Sequence, residues 1–264
     1  MASALPGHYP AAMRIPATNV PAITNHLLEK GWAVAADVLT DSAVADLRAL
    51  VVARCATDEP GASRLDGAAI EHGSALLDLL RNQRFMAVMR ACIGTDDVVV
   101  HRSAAILRMS GSPQVGWHSD FDFSTQPPTT PNERLNRGEW PNGAWFYLNG
   151  SHPERGGLAV VEGSHLPDWQ PPATWDRQSG WELPGVVELL SEPQDLVLFS
   201  ARTWHAARPY TAAEPRLSTA LALRPAAVDI PLTTATPPAT VEFLRSLPPD
   251  LAPFFTGYAG WIAG

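Results

Sequence analysis

The chain has 264 residues, of which 45% are hydrophobic and 17% are charged, and its formal net charge is −8. This length and composition allow one sizeable core, so we expect a single domain over residues 1–264. The acidic balance argues against nucleic-acid binding, and the lack of a long apolar run or a basic-then-apolar N-terminus argues against membrane insertion or secretion. Cys55 and Cys92 form no disulfide or metal-site pattern, which fits a reducing cytoplasm.

The N-terminal third is predicted to be mainly helical. A short helix ends at Gly31, and residues 32–38 follow as a strand. Residues 41–54 have an acidic cap and apolar residues every three or four positions, which is typical of an amphipathic helix. Residues 74–93 predict two more helical stretches, broken near Asn82.

From residue 97 onward the periodicity changes to that of strands separated by Gly, Pro and Asn. Helices followed by many strands favour a mainly β fold, a barrel or sandwich buttressed by N-terminal helices. Eight strands can close as a jelly roll with ligands near one open end. The predicted strands are residues 98–109, 115–121, 143–148, 158–161, 186–190, 196–200, 203–207 and 216–224.

Two histidines and one carboxylate on these strands predict a metal centre. His118 and Asp120 are two positions apart, so they share one face of an extended strand. With His205 they would complete the 2-His-1-carboxylate triad of non-haem Fe(II) oxygenases, which leaves positions open for substrates and oxygen. A hydrogen-bonded strand histidine is the ordinary alternative for His118, because His-x-Asp is common.

The segment after His205 predicts an anion-binding residue. Residues 216–223 alternate, and this places Arg216 and Ser218 on one face of a strand. An arginine inside a barrel is costly unless it meets an anion. A dicarboxylate cosubstrate would supply that anion to the guanidinium fork.

Several motifs in order resemble the phytanoyl-CoA dioxygenase family of Fe(II)/2-oxoglutarate oxygenases, which includes ectoine hydroxylases and many bacterial tailoring hydroxylases. The resemblance covers roughly residues 25–225. Glu162 and Gln194 depart from it in turns, where the family often has Pro and Gly. The matching segments are residues 31–39, 117–121, 156–165 and 195–199, followed by His205 and Arg216.

The resemblance implies a cupin-like double-stranded β-helix that binds Fe(II), 2-oxoglutarate and O2. His118, Asp120 and His205 would hold the iron, Arg216 the distal carboxylate of 2-oxoglutarate, and Ser218 would add a hydrogen bond. The implied reaction is hydroxylation with release of succinate and CO2. Asp120 disfavours halogenation, because related halogenases have Gly or Ala at that position; desaturation, cyclisation and epimerisation remain open.

Two further positions match residues that contact the cosubstrate in the family. Trp145 is one of them, and a core aromatic residue is the alternative. His101 is the other, by an ungapped count from His118, and it is expected on the face of Val99, Ser103 and Ala105. A hydrogen-bonded structural histidine is the alternative for His101.

The substrate is predicted only as a small soluble metabolite, either an amino acid derivative or a secondary-metabolite intermediate. Residues 122–142 form an insertion long enough for a lid, in which Arg134 and Arg137 either recognise an anion or are solvated. A group of aromatic residues either forms a substrate wall or covers the barrel. This group comprises Trp117, Phe121, Trp169, Trp175 and Trp181.

A cupin-like metal-binding isomerase and a non-catalytic barrel protein are the alternatives of another class. Arg216 and Ser218 argue against both, because neither protein needs a cosubstrate. The sequence shows no basic patch that could bind the phosphates of CoA, so an acyl-CoA substrate is not supported. The sequence does not indicate an oligomeric state.

Overall fold

The computed structural model describes residues 13–121, 143–173, 175–176, 181, 183–228 and 235–260. The predicted lid, with Arg134 and Arg137, lies outside these residues. The helices are α1 (Val20–Lys30), α2 (Asp41–Cys55), α3 (Ser74–Leu77), α4 (Gln83–Ile93) and α5 (Pro238–Ser246). The strands are β1 (Arg14–Pro16), β2 (Trp32–Ala36), β3 (Ser63–Asp66), β4 (Val98–Arg108), β5 (Val115–His118), β6 (Gly143–Tyr147), β7 (Leu158–Val161), β8 (Val186–Glu188), β9 (Leu196–Phe199), β10 (His205–Ala207) and β11 (Arg216–Pro225).

Side-chain caps fix the ends of the N-terminal helices. The Thr40 hydroxyl accepts a hydrogen bond from the Ala43 amide and begins α2. The Asn82 side chain accepts from two backbone amides at the start of α4, which confirms the predicted helix break. Gly31 ends α1 with a φ of 84°, a left-handed conformation that favours glycine.

The strands form two sheets. The larger sheet has seven strands in the order β1-β2-β9-β6-β11-β4-β3, and the smaller has four in the order β5-β10-β7-β8. All neighbours are antiparallel except β1 and β2. Within the described ranges the sheets share no hydrogen-bonded edge, so the fold is an open two-sheet jelly roll and not a fully closed barrel.

The two sheets and the helices pack as successive layers. The main apolar core lies between the larger sheet and helices α1, α2 and α4. A second cluster joins the facing surfaces of the two sheets through residues such as Val34, Tyr147 and Val160. A third, rich in tryptophan, covers the opposite surface of the smaller sheet. Any ligand held between the sheets is therefore bounded by packed strands on both sides.

The long pair of β4 and β11 carries the predicted alternation. On β11, Leu217 and Leu221 pack in the helix-side core, whereas Arg216 and Ala220 line a cavity between the sheets. The alternation on β4 is interrupted, because the register with β11 shifts opposite His101. The expectation that His101 shares a regular face with Val99, Ser103 and Ala105 was therefore wrong.

Most predicted elements are present with small changes at their ends. Strands β5 and β10 are both shorter than predicted. The sequence did not predict β1, β3 or α5. None of the helices in the described part of the chain has the length and apolar character needed to cross a bilayer.

Candidate metal and cosubstrate site

Strand pairing brings the three predicted metal ligands together. His118 at the end of β5 lies directly opposite His205 on β10, and their ring centroids are 4.2 Å apart. The Oδ1 atom of Asp120 is 3.8 Å from Nε2 of His118 and 4.0 Å from Nε2 of His205. All three ligand atoms lie within 4.8 Å of one another, which is close enough to surround one metal ion.

Backbone hydrogen bonds orient both imidazoles toward Asp120. The Nδ1 atom of His118 donates to the Gly116 carbonyl at 2.8 Å, and that of His205 donates to the Thr203 carbonyl at 2.9 Å. A carbonyl oxygen can only accept, so each Nδ1 carries the proton. In the neutral ring this tautomer leaves the lone pair on Nε2, which is the usual arrangement around a metal-binding histidine.

The environment favours the protonation states that metal binding requires. Burial lowers the pKa of His205 to about 4, against the opposing effect of the Asp120 charge, and this keeps the ring neutral. Burial alone would raise the pKa of Asp120, but His205 and Arg102 together lower it below its ordinary value. The neutral imidazole of His205 beside an ionised carboxylate suits a divalent-metal site.

Arg102 holds the second oxygen of the carboxylate. Its Nη2 atom lies 3.3 Å from Oδ2 of Asp120, and the arginine lines the same cavity. The contact leaves Oδ1 facing the histidines. Sequence reasoning missed Arg102, because the contact depends on how β4 crosses the end of β5.

A cavity of about 270 Å³ lies between the two sheets beside the triad. Trp145 and Tyr147, alternate residues of β6, both line it, and their rings stack at a centroid distance of 6.4 Å. The structure therefore places Trp145 beside the cavity, as its predicted role requires. Tyr147 was not predicted as a site residue.

Arg216 lies at one side of this cavity and is 7% exposed. Its Nη1 donates to the Gly156 carbonyl, and its guanidinium carbon lies 4.9 Å from the centroid of the Tyr147 ring. Its Nε and the Oγ of Ser218 are buried without a hydrogen-bond partner in the described ranges. Burial lowers the pKa of Arg216. Unpaired buried donors of this kind are expected where an anionic ligand binds.

Other predicted residues lie away from the cavity. His101 is buried in the irregular part of β4 and is not among the cavity-lining residues. Phe121 lies under the guanidinium of Arg202, at 4.1 Å, and also does not line the cavity.

Trp117 is on the opposite surface of β5 from His118, because adjacent strand residues face opposite sides. It packs there with other tryptophans of the proposed aromatic wall. Its ring centroid is 5.7 Å from that of Trp175 and 5.2 Å from that of Trp181. Trp169 contacts Trp175 as well. These four tryptophans thus cover the smaller sheet and do not face the cavity.

Solved structures with the same fold include enzymes of antibiotic biosynthesis. The chain is similar to the epimerase SnoN, in complex with Fe3+, alpha ketoglutarate and nogalamycin RO, at 22% identity over 88% of this chain and 91% of that one, with a TM-score of 0.59. It is also similar to HygX from Streptomyces hygroscopicus, with nickel, 2-oxoglutarate and hygromycin B bound, at 18% identity over 79% and 88% of the two chains, with a TM-score of 0.62.

A third similar structure is the alpha ketoglutarate dependent carbocyclase SnoK from nogalamycin biosynthesis, at 20% identity over 81% and 88% of the chains and a TM-score of 0.60. No curated protein matches this chain in sequence. The family model of phytanoyl-CoA dioxygenase (PhyH) matches residues 27–218, which include the triad, Arg216 and Ser218. The chain therefore belongs to the phytanoyl-CoA dioxygenase family.

Proposed function

We propose that the protein is an Fe(II)- and 2-oxoglutarate-dependent dioxygenase that hydroxylates an unactivated C–H bond of a small metabolite. The single observation that carries this proposal is the arrangement in one cavity of a histidine–carboxylate triad and a buried arginine without a carboxylate partner in the described residues. The first feature fits the metal and the second fits the cosubstrate.

The residues present fit both groups. His118, Asp120 and His205 would hold Fe(II) through two neutral imidazoles and one carboxylate, a set that suits this ion and leaves coordination positions open. Arg216 would bind the distal carboxylate of 2-oxoglutarate, and Ser218 would donate to the same group. Trp145 would pack against the cosubstrate from β6.

When bound, the iron and 2-oxoglutarate would activate O2: one oxygen atom would enter succinate as 2-oxoglutarate loses CO2, and the other would oxidise the C–H bond of the substrate. The protein provides position, charge and exclusion of water. Arg102 holds one oxygen of Asp120, so that the carboxylate keeps a single orientation. Leu158, Phe199 and the β6 aromatic residues make most of the cavity wall apolar, which limits water around the reacting centre.

Hydroxylation is the proposed outcome because of the residues that would bind the metal. Asp120 occupies the position that an anionic co-ligand such as halide would need, and this favours hydroxylation over halogenation. Epimerisation and cyclisation are the other outcomes to test, because SnoN is an epimerase and SnoK a carbocyclase with the same cosubstrate. The antibiotics bound in the SnoN and HygX structures, nogalamycin RO and hygromycin B, support a secondary-metabolite intermediate as the substrate class.

The test is turnover of 2-oxoglutarate with a metabolite library, Fe(II) and ascorbate. We expect succinate formation to rise with one substrate class, and mass spectrometry to detect a product heavier by one oxygen atom. A product lighter by two hydrogens would instead indicate desaturation or cyclisation, and an isomer of unchanged mass would indicate epimerisation. If no compound stimulates turnover and 2-oxoglutarate does not raise the melting temperature of the Mn(II)-loaded protein, the proposal is wrong.

Arg216→Ala separates the two binding functions. Losing a charge-assisted hydrogen bond costs about 1.5–3 kcal/mol, so the Kd for 2-oxoglutarate should rise roughly 10- to 150-fold. The Kd for Mn(II) alone should not rise, because the triad is intact. Isothermal titration measures both constants. Loss of metal binding in a folded variant would show that Arg216 is structural.

A further inference from the structure

Arg108, the last residue of β4, lies directly opposite Arg216, the first residue of β11. Residues directly opposite in an antiparallel pair project to the same side of the sheet, with Cβ atoms about 5 Å apart. On β11 that side carries Arg216 and Ala220, and on β4 it carries Ala104 and Ile106; all four line the cavity. The Arg108 side chain therefore leaves β4 on the same side of the sheet as Arg216, next to the wall that these four residues form.

Both arginines are buried without compensating negative charge. Arg108 is 3% exposed and Arg216 is 7% exposed. Arg108 donates from Nη2 to the Pro113 carbonyl, and its Nη1 has no hydrogen-bond partner in the described part of the chain. No ion pair joins either arginine to a carboxylate within the described ranges. Burial, followed by the charge of Arg216, lowers the pKa of Arg108 to about 10.

Two adjacent buried cations are unfavourable by themselves, because each loses hydration and repels the other. Arg208, a partly buried arginine of the smaller sheet's side of the fold, has a carboxylate partner: its Nε donates to Oε1 of Glu188 at 2.7 Å. Arg108 and Arg216 have backbone carbonyls and aromatic rings around them instead. A bound carboxylate would offer two oxygens to two guanidinium groups and remove the imbalance.

We infer that Arg108 is a second cosubstrate-binding residue, which shares the distal carboxylate of 2-oxoglutarate with Arg216; this inference rests on the proposed function. Three donors from one strand pair then meet at the carboxylate: Nη1 of Arg108, Nε of Arg216 and Oγ of Ser218. The two positive charges of Arg108 and Arg216 make the site selective for a dicarboxylate. A 2-oxo acid without the distal acid group leaves both cations uncompensated and binds poorly.

The experiment compares Arg108→Gln and Arg108→Lys with wild-type protein by isothermal titration. One arm titrates 2-oxoglutarate into Mn(II)-loaded protein, and the other titrates glutarate into metal-free protein, which probes the arginine pair without the metal. We expect Arg108→Gln to raise both Kd values about 10- to 100-fold, Arg108→Lys to raise them less, and neither to raise the Kd for Mn(II).

Arg224→Met is the matched control. Arg224 lies on the same strand, is 3% exposed, and donates to the carbonyls of Pro225, Val228 and Thr256 at the other end of β11. Its substitution lowers the melting temperature but leaves both Kd values at wild-type levels.

Two results would overturn the inference. A folded Arg108→Gln protein that binds both ligands within twofold of wild type shows a merely structural arginine and leaves the proposed function intact. Wild-type protein that binds neither ligand overturns the proposed function and the inference together. If Arg108→Gln does not fold, the Arg108→Lys variant provides the test. Lysine lacks the guanidinium fork, so Arg108→Lys must still bind 2-oxoglutarate and glutarate more weakly than wild type. Wild-type Kd values in this variant would refute the role of Arg108.

Discussion

Each histidine of the candidate metal site is oriented by the carbonyl of the residue two positions before it, Gly116 for His118 and Thr203 for His205. The proton is held on Nδ1 before any metal arrives, so metal binding requires neither a tautomer change nor a large rotation of the ring. Such preorganisation lowers the entropic cost of assembling the site.

At the residue scale the sequence predicted site residues whose chemistry is recognisable from local spacing. His118 and Asp120 are neighbours in the chain, and Arg216 follows a predicted alternation. Arg102 and Arg108 could not be found in the same way. Their roles depend on which strand lies beside β11 and on what crosses the end of β5, and strand order is not encoded in local periodicity.

Buried His101 predicts a pH dependence of stability. Burial, together with the charges of Arg102 and Arg224, holds its pKa well below 6.5 in the folded protein. The unfolded chain binds this proton more readily, so the stabilisation is complete above about pH 6.5 and is lost as the pH falls. The free energy of unfolding should drop by up to about 1.4 kcal/mol per pH unit from this residue.

Urea denaturation of metal-free wild type and His101→Gln between pH 7.5 and 5.0 measures this effect. The variant should show a shallower pH dependence, although His205 contributes in both proteins. Identical slopes for the two proteins would contradict the prediction.

At the scale of elements, the sequence located the long helices and the buried strands because their apolar patterns are strong. It missed β1, which has three residues and ends in a proline, and β3, whose side chains are mostly exposed. Neither strand shows an alternating apolar pattern, and each is held in place by its neighbour in the sheet. Such strands exist through tertiary pairing and not through local preference.

A buried carboxylate connects β1 to the turn that precedes β9. Asp195, fully buried in the turn before β9, accepts two hydrogen bonds from Arg14 on β1, at 2.7 and 2.9 Å. It also accepts from the backbone amides of Asp37 and Glu192. The motif that contributed to the family resemblance at residues 195–199 therefore has a structural role at its first position.

Asp195→Ala should lower the free energy of unfolding by about 3 kcal/mol, because four donors lose their acceptor. Equilibrium denaturation in urea measures the change. Glu59→Gln is the control, since its ion pair with Arg64 is exposed and its loss should leave the midpoint unchanged. Equal effects of the two substitutions would show that the Asp195 network does not hold β1 in place.

At the scale of the whole molecule, the main apolar core and the candidate site are on opposite sides of the larger sheet. The core lies against the helices, whereas the triad lies between the sheets. The sequence predicted helices that buttress a jelly roll. It could not predict that Trp117, Trp169, Trp175 and Trp181 lie on the outer surface of the smaller sheet, because that depends on how the layers pack in three dimensions. A surface-covering cluster and a substrate wall have the same composition, so the sequence could not separate them.

This separation predicts that metal removal leaves the fold intact. Protein treated with EDTA should keep its far-UV circular dichroism and unfold cooperatively. Mn(II) and 2-oxoglutarate at about 100 times their Kd should then raise the melting temperature by roughly 5–10 °C through ligand linkage. Loss of secondary structure on chelation would instead indicate a structural metal.

The arginines around the cavity have a consequence for the order of binding. Among the described residues, the charged groups that line it are Arg102, Arg216 and Asp120, and buried Arg108 is beside them. A divalent cation entering alone meets net repulsion, whereas a dicarboxylate that enters first cancels it. The two ligands are therefore expected to strengthen each other's binding by the same factor, as reciprocal thermodynamic coupling requires. An acidic chain with a cationic interior would thus hold its metal most firmly when the cosubstrate is abundant.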